Sequence, residues 1–259
     1  MNFEKRIERI VGRGLQLEFF LVPWDTEILG FPVAQIERIE VESDSDPARG
    51  MEEFSSWLDR HEIRLASCRL ASDRLRESML LEANGFRFIE MVYSPVLSPI
   101  PASSRIDEDL GIAKAQPEDL PAIEGIAESA FATGRHILDW RLDGTASHRR
   151  YRVWVQNSFA DPRHEVLKAT IAGDLVGFFI VEDRPDAGAY WHLNAIAPAW
   201  QGKGIGKRVW ATMVAHHYAA GLRSIETTIS AHNTPVLNIY AGLGFKLVAP
   251  QMTFHWVRP

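Results

Sequence analysis

The chain of 259 residues has one cysteine, Cys68, no long uncharged apolar run and no excess of positive charge. A single cysteine excludes an intrachain disulfide and a cysteine-based metal site. Because no run is long enough to span a bilayer as a helix, we expect no membrane-spanning segment. The net charge of −6, from 28 basic and 34 acidic residues, argues against a nucleic-acid partner bound through broad electrostatics.

The start of the chain also lacks a feature, namely the apolar core of a signal peptide. Residues 1–13 are charged and polar, and the whole chain is 46% apolar and 24% charged, which is typical of a globular protein. These properties predict a cytoplasmic enzyme rather than a secreted or disordered protein.

A short proline- and serine-containing stretch, residues 101–108, predicts a linker between two domains. The domains are a smaller one, residues 1–100, and a larger one, residues 109–259. Strand-like and helix-like segments alternate in both, and hairpin patterns predominate in the second. The fold class predicted is therefore α/β with a mixed, largely antiparallel sheet, and not a doubly wound dinucleotide fold.

An internal repeat links the two halves. Residues 68–86 align without gaps on residues 227–245, and both segments read as strand, polar turn, short helix, Gly-Phe and strand. The alternative is that any such unit needs a glycine stop and an apolar start. The first copy has Leu81 where the second has Tyr240, so we expect chemistry only in the second.

A glycine-rich loop lies between an apolar strand and an amphipathic helix in the second half. Three glycines at a helix start leave backbone N–H groups bare, and the helix dipole adds to their attraction for phosphate. The spacing fits neither the dinucleotide fingerprint nor the P-loop. The loop consists of Gln201, Gly202, Lys203, Gly204, Ile205, Gly206 and Lys207.

This loop resembles the acetyl-CoA pyrophosphate loop of the GNAT N-acetyltransferase superfamily, through Gln201, Gly204 and Gly206. The downstream pattern of that superfamily is similar to Asn233, Tyr240 and the Gly-Phe pair at 244–245. The resemblance covers roughly residues 110–257. It implies a GNAT fold, preceded here by a degenerate GNAT-like domain, and acetyl-CoA as co-substrate. The residues that it implies for acetyl-CoA binding are Ile196, the loop residues 201–207 and Asn233.

The resemblance also implies direct attack of a primary amine on the thioester. Backbone N–H groups near Ile196 would stabilise the developing oxyanion, and Tyr240 would be the general acid that protonates the departing sulfur. His192, Glu182 and a water relay are the alternatives for the general base. Two structural alternatives stay open: Asn233 as a helix N-cap and Tyr240 as a core residue.

The segment after the first helix of the larger domain resembles acetyltransferases that act on amino sugars carried by nucleotides. An arginine suits a pyrophosphate and an aromatic ring suits a base or sugar, so Arg135, His136 and Trp140 are the predicted acceptor residues. Alternative acceptors are a small amine, an antibiotic or a protein N-terminus, and a non-catalytic CoA sensor is a further alternative. No metal cluster is expected, since His216 and His217 point to different sides of a helix. The oligomeric state stays open, with a homodimer as one alternative.

Overall fold

The computed structural model describes residues 6–12, 14–42, 47–102, 106–131 and 133–259. The chain divides into two compact units, and each is built from separate segments. The first unit comprises Met1–Met91, Leu138–Ala146 and Ala249–Pro259, and the second comprises Val92–Ile137 and Ser147–Val248. Among the described residues, no helix is both long and apolar enough to cross a membrane.

The helices and strands are numbered along the chain. They are β1 (Glu8–Gly12), β2 (Leu15–Leu21), α1 (Pro23–Leu29), β3 (Val33–Val41), α2 (Ala48–Arg60), β4 (Leu65–Ala71), α3 (Leu75–Ala83), β5 (Arg87–Leu97), β6 (Leu110–Lys114), α4 (Leu120–Ala130), α5 (Arg135–Leu138), α6 (Gly144–Ala160), β7 (His164–Ile171), β8 (Asp174–Arg184), β9 (Gly188–Ile196), α7 (Ile205–Ala219), β10 (Ser224–Thr227), β11 (Ile229–Ser230), α8 (Thr234–Gly242) and β12 (Lys246–Val257).

The first unit is a sheet with the strand order β1-β2-β3-β4-β12, covered by α2. Among the described strands of this unit, only the β3–β4 pair is parallel. Met51, Phe54 and Trp57 recur at helical spacing on α2, so that helix buries one apolar face. The face packs in one cluster with sheet residues that include Phe19 and Phe254.

The second unit has the strand order β5-β10-β9-β8-β7-β6, and of the strands that the structure describes there only β9 and β10 pair in parallel. Its sheet is apolar on both faces because helices cover both. On one face, Trp210 of α7 packs in a cluster with Phe179 and Trp191. On the other, α4 and α6 pack against Phe178 and Ile180. The sheets of both units are thus mixed and largely antiparallel, as predicted.

The sequence patterns did not indicate β1, α1 or α5. Strand β5 ends at Leu97, before the predicted linker at residues 101–108. Residues 103–105 of that linker lie outside the described residues.

The last strand packs differently from expectation. Residues 249–259, expected with the larger domain, cluster with the first unit, where β12 pairs with β4 from Gln251 to Val257. Backbone pairing of this kind is non-local, and apolar alternation in the strand does not specify the partner. The domain boundaries 1–100 and 109–259 stay a prediction.

Candidate functional site

Strands β9 and β10 of the second unit pair over only part of their length. Their parallel ladder runs from Gly188 with Ser224 to Trp191 with Thr227 and ends there, whereas β9 continues to Ile196. In the described part of the chain, no strand pairs with residues 192–196 on the β10 side. On the other side β9 stays paired with β8 up to Ile196. The sheet therefore opens between β9 and β10, and backbone groups of β9 face the opening.

The glycine loop follows directly after this strand. The Gln201 side chain donates a hydrogen bond from Nε2 to the Ile196 carbonyl oxygen at 2.9 Å, which ties the loop to the end of β9. Gly202 and Gly204 have φ angles of 72° and 76°, a left-handed conformation that glycine adopts without strain. The loop therefore turns sharply enough for α7 to begin at Ile205.

The first turn of α7 is accessible to a ligand. Gly204 is its N-cap, and no side chain caps the helix. Free N–H groups at the start of a 15-residue helix, together with the exposed side chains of Lys203 and Lys207, form a positive site suited to phosphate oxygens.

Asn233 marks the start of α8, where its Oδ1 accepts a hydrogen bond from the Val236 N–H at 3.4 Å. The structure therefore gives Asn233 the capping role that was one of its two interpretations. This cap contrasts with the uncapped start of α7.

Tyr240 lies on α8 and is 1% exposed. Burial raises the pKa of its hydroxyl above the ordinary value, and hydrogen bonding by Trp210, Thr227 and Asn194 acts in the opposite direction. Thr227 is the last β10 residue of the ladder, and Asn194 lies on the part of β9 beyond it. The Tyr240 hydroxyl is thus located where the two strands separate, and it is protonated at neutral pH.

His192 and Glu182, two base candidates, are hydrogen-bonded to each other with 2.6 Å between Nε2 and Oε2. Burial lowers the pKa of His192 below its ordinary value, although Glu182 acts against this shift. Burial acts to raise the pKa of Glu182, but the hydrogen bond from His192 and the charge of Arg184 bring it below the ordinary value. At pH 7 the Glu182 carboxylate therefore accepts a hydrogen bond from Nε2 of a neutral His192 imidazole. The other ring nitrogen of His192, Nδ1, keeps a lone pair.

Strand register explains how these residues meet. Glu182 is the cross-strand partner of Tyr190 on β9 and of His164 on β7, so the three residues share one face. Partners shift by one residue where Val181 faces Trp191 and Ile180 faces Leu193, so His192 is the extra residue of a β-bulge.

An aromatic and cationic group continues the same surface. The Tyr190 ring meets His192 edge-on with 4.8 Å between centroids, and its hydroxyl is 2.7 Å from the Thr228 hydroxyl. The Arg184 guanidinium lies 5.1 Å from the centroid of the Tyr190 ring and 3.3 Å from Glu182. This surface can contact a polar or anionic ligand.

The three predicted acceptor residues fall in different units. Arg135 and His136 belong to α5 in the second unit, where the Arg135 Nε lies 3.4 Å from the His136 Nε2 and His136 is 4% exposed. Trp140 belongs to a segment of the first unit and is 88% exposed. Its neighbour Asp139 is buried and pairs with Arg141 at 2.8 Å, so an anchored turn presents Trp140 to solvent.

Sequence reasoning gave no site role to His164, Tyr190, Asn194 or Thr227, because each becomes significant only through the register of β7 to β10. Hairpin patterns predict neighbouring strands in this part of the chain. They do not fix the register that brings His164 opposite Glu182.

Comparisons with known proteins agree with this geometry. Residues 132–245, which include the loop, Asn233 and Tyr240, match the model of the Acetyltransferase (GNAT) family. The chain is 26% identical to dTDP-fucosamine acetyltransferase of Escherichia coli, over 73% of this chain and 79% of that protein. It is 18% identical to the spore coat polysaccharide biosynthesis protein SpsD of Bacillus subtilis, over 90% of this chain and 80% of that protein.

A solved structure extends the likeness to the whole chain. A tandem GNAT protein from the clavulanic acid biosynthesis pathway superposes with a TM-score of 0.60 at 13% identity, covering 93% of this chain and 78% of that chain. Likeness at this level of identity concerns the fold. It confirms the predicted α/β class with a mixed sheet.

Proposed function

We propose that this chain, which contains a GNAT acetyltransferase domain, transfers acetyl from acetyl-CoA to the primary amine of an amino sugar carried by a nucleotide. The observation that carries the acetyl-CoA part is the opening between β9 and β10 beside the uncapped start of α7. The sugar nucleotide part is supported by the similarity to dTDP-fucosamine acetyltransferase.

Acetyl-CoA fits the opening in two ways. The α7 N–H groups with Lys203 and Lys207 would hold the pyrophosphate. The unpaired backbone of β9 near Ile196 would pair with the amides of pantetheine, and Asn233 lies at the start of α8 on the same unit. The bound thioester supplies an activated acyl group, and a backbone N–H near Ile196 would stabilise its oxygen as negative charge develops.

Tyr240 is the proposed general acid. Its buried hydroxyl keeps its proton at neutral pH, so Oη can donate that proton to the sulfur as the carbon–sulfur bond breaks. Asn194 and Thr227 would orient the hydroxyl.

His192 is the proposed general base, acting directly on the amine or through one water. Glu182 fixes the imidazole through Nε2, which directs the Nδ1 lone pair to the proton that the attacking amine loses. Glu182 then stabilises the imidazolium that forms.

Arg135 is the proposed acceptor contact, with His136 supporting it. A guanidinium binds a pyrophosphate by paired hydrogen bonds. Trp140, which belongs to the other unit, stays a prediction. The cytoplasmic location and the homodimer stay predictions beside this proposal.

The test is turnover with a panel of amines, measured as thiol release and by mass of the product. The panel holds nucleotide-linked amino sugars, the same sugars free, polyamines, aminoglycosides and an N-terminal peptide. We expect the nucleotide-linked sugars to exceed the free sugars in kcat/KM by about tenfold or more, as loss of one charged contact predicts.

Arg135→Gln should raise KM for the linked sugar and leave the free sugar unchanged, with Arg163→Gln as a control on an exposed arginine of the same unit. Equal use of free and linked sugars would overturn the acceptor proposal. Tight binding of CoA without turnover of any amine would instead favour a CoA sensor.

A further inference from the structure

We propose that His164, Glu182 and His192 form a binding site for a divalent transition-metal ion, with Zn²⁺ as the reference ion. Each residue offers one ligand atom, and these three atoms lie within 4.8 Å of one another. The residues belong to the neighbouring strands β7, β8 and β9, so the sheet backbone holds the donors in place.

The position of each side chain follows from the strands. His164 and Glu182 are cross-strand partners, and the bulge at His192 brings its ring to 4.6 Å from the His164 ring, measured between centroids. Two of the three ligand atoms, His192 Nε2 and Glu182 Oε2, are already hydrogen-bonded to each other at 2.6 Å. A metal ion would take the place of the proton on Nε2, and that proton would move to Nδ1 of the same ring.

His164 supplies the second observation. Its Nδ1 is buried and has no hydrogen-bond partner among the residues that the structure describes. A buried nitrogen without a partner costs about 1–3 kcal/mol. A metal ion would therefore bind a side chain whose Nδ1 has no other partner among the described residues.

The donor set matches known zinc chemistry. Two imidazoles and one carboxylate are the protein ligands of one class of zinc site, in which a further position stays open for water or substrate. Imidazole also suits Ni²⁺ and Cu²⁺. Arg184, 3.3 Å from Glu182, opposes a cation, but its side chain is 44% exposed, so solvent and salt screen its charge. We therefore expect reversible rather than permanent binding.

Occupancy would have a consequence that rests on the proposed function. With a metal ion on Nε2, the neutral His192 ring carries its proton on Nδ1, so the lone pair that would accept the amine proton is lost. Zn²⁺ would therefore inhibit acetyl transfer, and a chelator would restore it.

The experiment measures Zn²⁺ binding directly by calorimetry on the full chain, with any affinity tag removed. We expect one saturable site in the wild type. His164→Gln should weaken the affinity by about tenfold or more, since a tenfold change is 1.4 kcal/mol and one of three ligands is lost. Glu182→Gln should weaken it similarly, and it serves if His164→Gln fails to fold. His216→Gln, a half-buried histidine on α7, is the matched control and should bind as the wild type does.

A second experiment measures the rate of acetyl transfer by each variant with Zn²⁺ and compares it with the rate of the same variant in chelator. We expect Zn²⁺ to inhibit the wild type and the His216→Gln variant, and to inhibit His164→Gln much less. Absence of saturable Zn²⁺ binding at millimolar concentration, or equal binding by the wild type, His164→Gln and Glu182→Gln, would overturn the metal site. Zn²⁺ binding lost in those two variants, with no inhibition in the wild type, would overturn the base role of His192 and leave the metal site standing.

Discussion

The two units contain the same local structure around their parallel strand pair, and they differ in what occupies the opening beside it. In the first unit the β3–β4 ladder ends at Ile36 with Cys68, and in the second the β9–β10 ladder ends at Trp191 with Thr227. The next residue of the longer strand is a bulge in both units, Glu37 in β3 and His192 in β9.

The helices that follow also end alike. The Phe86 N–H donates to the Leu81 carbonyl and the Phe245 N–H to the Tyr240 carbonyl, both at 3.0 Å. The glycines before these phenylalanines have φ angles of 85° and 86°. The repeat predicted over residues 68–86 and 227–245 therefore extends to the bulged strands, which favours common descent over a shared need for a glycine stop.

The difference lies at the splayed part of the longer strand. In the first unit, the Val41 N–H donates to Glu77 at 3.2 Å, and Arg74 donates to the Ile39 carbonyl at 3.4 Å and to Glu77 at 2.8 Å. The matching residues of β9 are Asn194 and Ile196, and no α8 side chain bonds to their backbone among the described contacts. The first unit fills its opening with its own side chains, and in the proposed function the second leaves its opening to acetyl-CoA.

The largest effect should come from Tyr240→Phe, because the position that holds Tyr240 in one unit holds Leu81 in the other. We expect kcat to fall by about 10²- to 10⁴-fold, since general acid catalysis contributes that much. Acetyl-CoA affinity should be retained in calorimetry, and Tyr218→Phe on α7 should behave as the wild type. Unchanged turnover in Tyr240→Phe would make this residue a core residue like Leu81.

The free energy of unfolding should depend on pH through the buried His217 of the second unit. His217 accepts a hydrogen bond from Trp191 Nε1 at 2.9 Å, and burial lowers its pKa to about 4. The unfolded chain binds this proton near its ordinary pKa of about 6.5, so stability is full above that pH and is lost as the pH falls towards 4. The loss at pH 4 is about 3 kcal/mol. His255 of the first unit instead contacts Asp139 at 3.0 Å.

Urea unfolding at pH 7.5 and pH 4.5 measures this effect. His217→Gln should flatten the pH dependence, because glutamine accepts from Trp191 without titrating. An equally steep dependence in that variant would assign the acid sensitivity to other groups.

Glu77→Ala should cost about 1–3 kcal/mol of unfolding free energy, because it leaves the Val41 N–H without its acceptor. It should not change acetyl-CoA affinity.

Asn233→Ala on α8 is the matched variant, since Asn233 aligns with Arg74. It should cost about 1 kcal/mol through its cap and also weaken acetyl-CoA binding. A loss of acetyl-CoA affinity in Glu77→Ala would contradict a filled opening in the first unit.

The smallest effect should come from the paired glycines. Gly85→Ala and Gly244→Ala each put a side chain in a left-handed conformation, which costs about 1 kcal/mol. The added Cβ at Gly85 would also lie 3.3 Å from Trp256, so Gly85→Ala should be the more destabilising. The melting temperatures of the two variants measure which substitution destabilises the protein more. A lower melting temperature for Gly244→Ala would show that the two helix ends are not equivalent.

The features predicted from sequence depend on neighbours in the chain. The glycine loop, the spacing of Met51, Phe54 and Trp57, and the helix stops at Gly85 and Gly244 are local, because backbone conformation and helical periodicity determine them. They sufficed for the fold class and for the resemblance to a family.

The remaining features depend on contacts between distant residues. His164, Glu182 and His192 meet only through strand register and a bulge. Glu77 reaches Val41 across 36 positions, and β12 pairs with β4 although most of a chain length separates them. Apolar patterns indicate that a face is buried, but they do not select the partner.

The central claim is one acetyl-CoA site per chain, in the second unit. Calorimetry of acetyl-CoA binding tests it most directly, with Gly204→Val to disrupt the loop at its left-handed residue and Glu77→Ala to open the first unit. We predict one site in the wild type and in Glu77→Ala, and an affinity lower by about tenfold or more in Gly204→Val. Two sites per chain, or wild-type affinity in Gly204→Val, would contradict it.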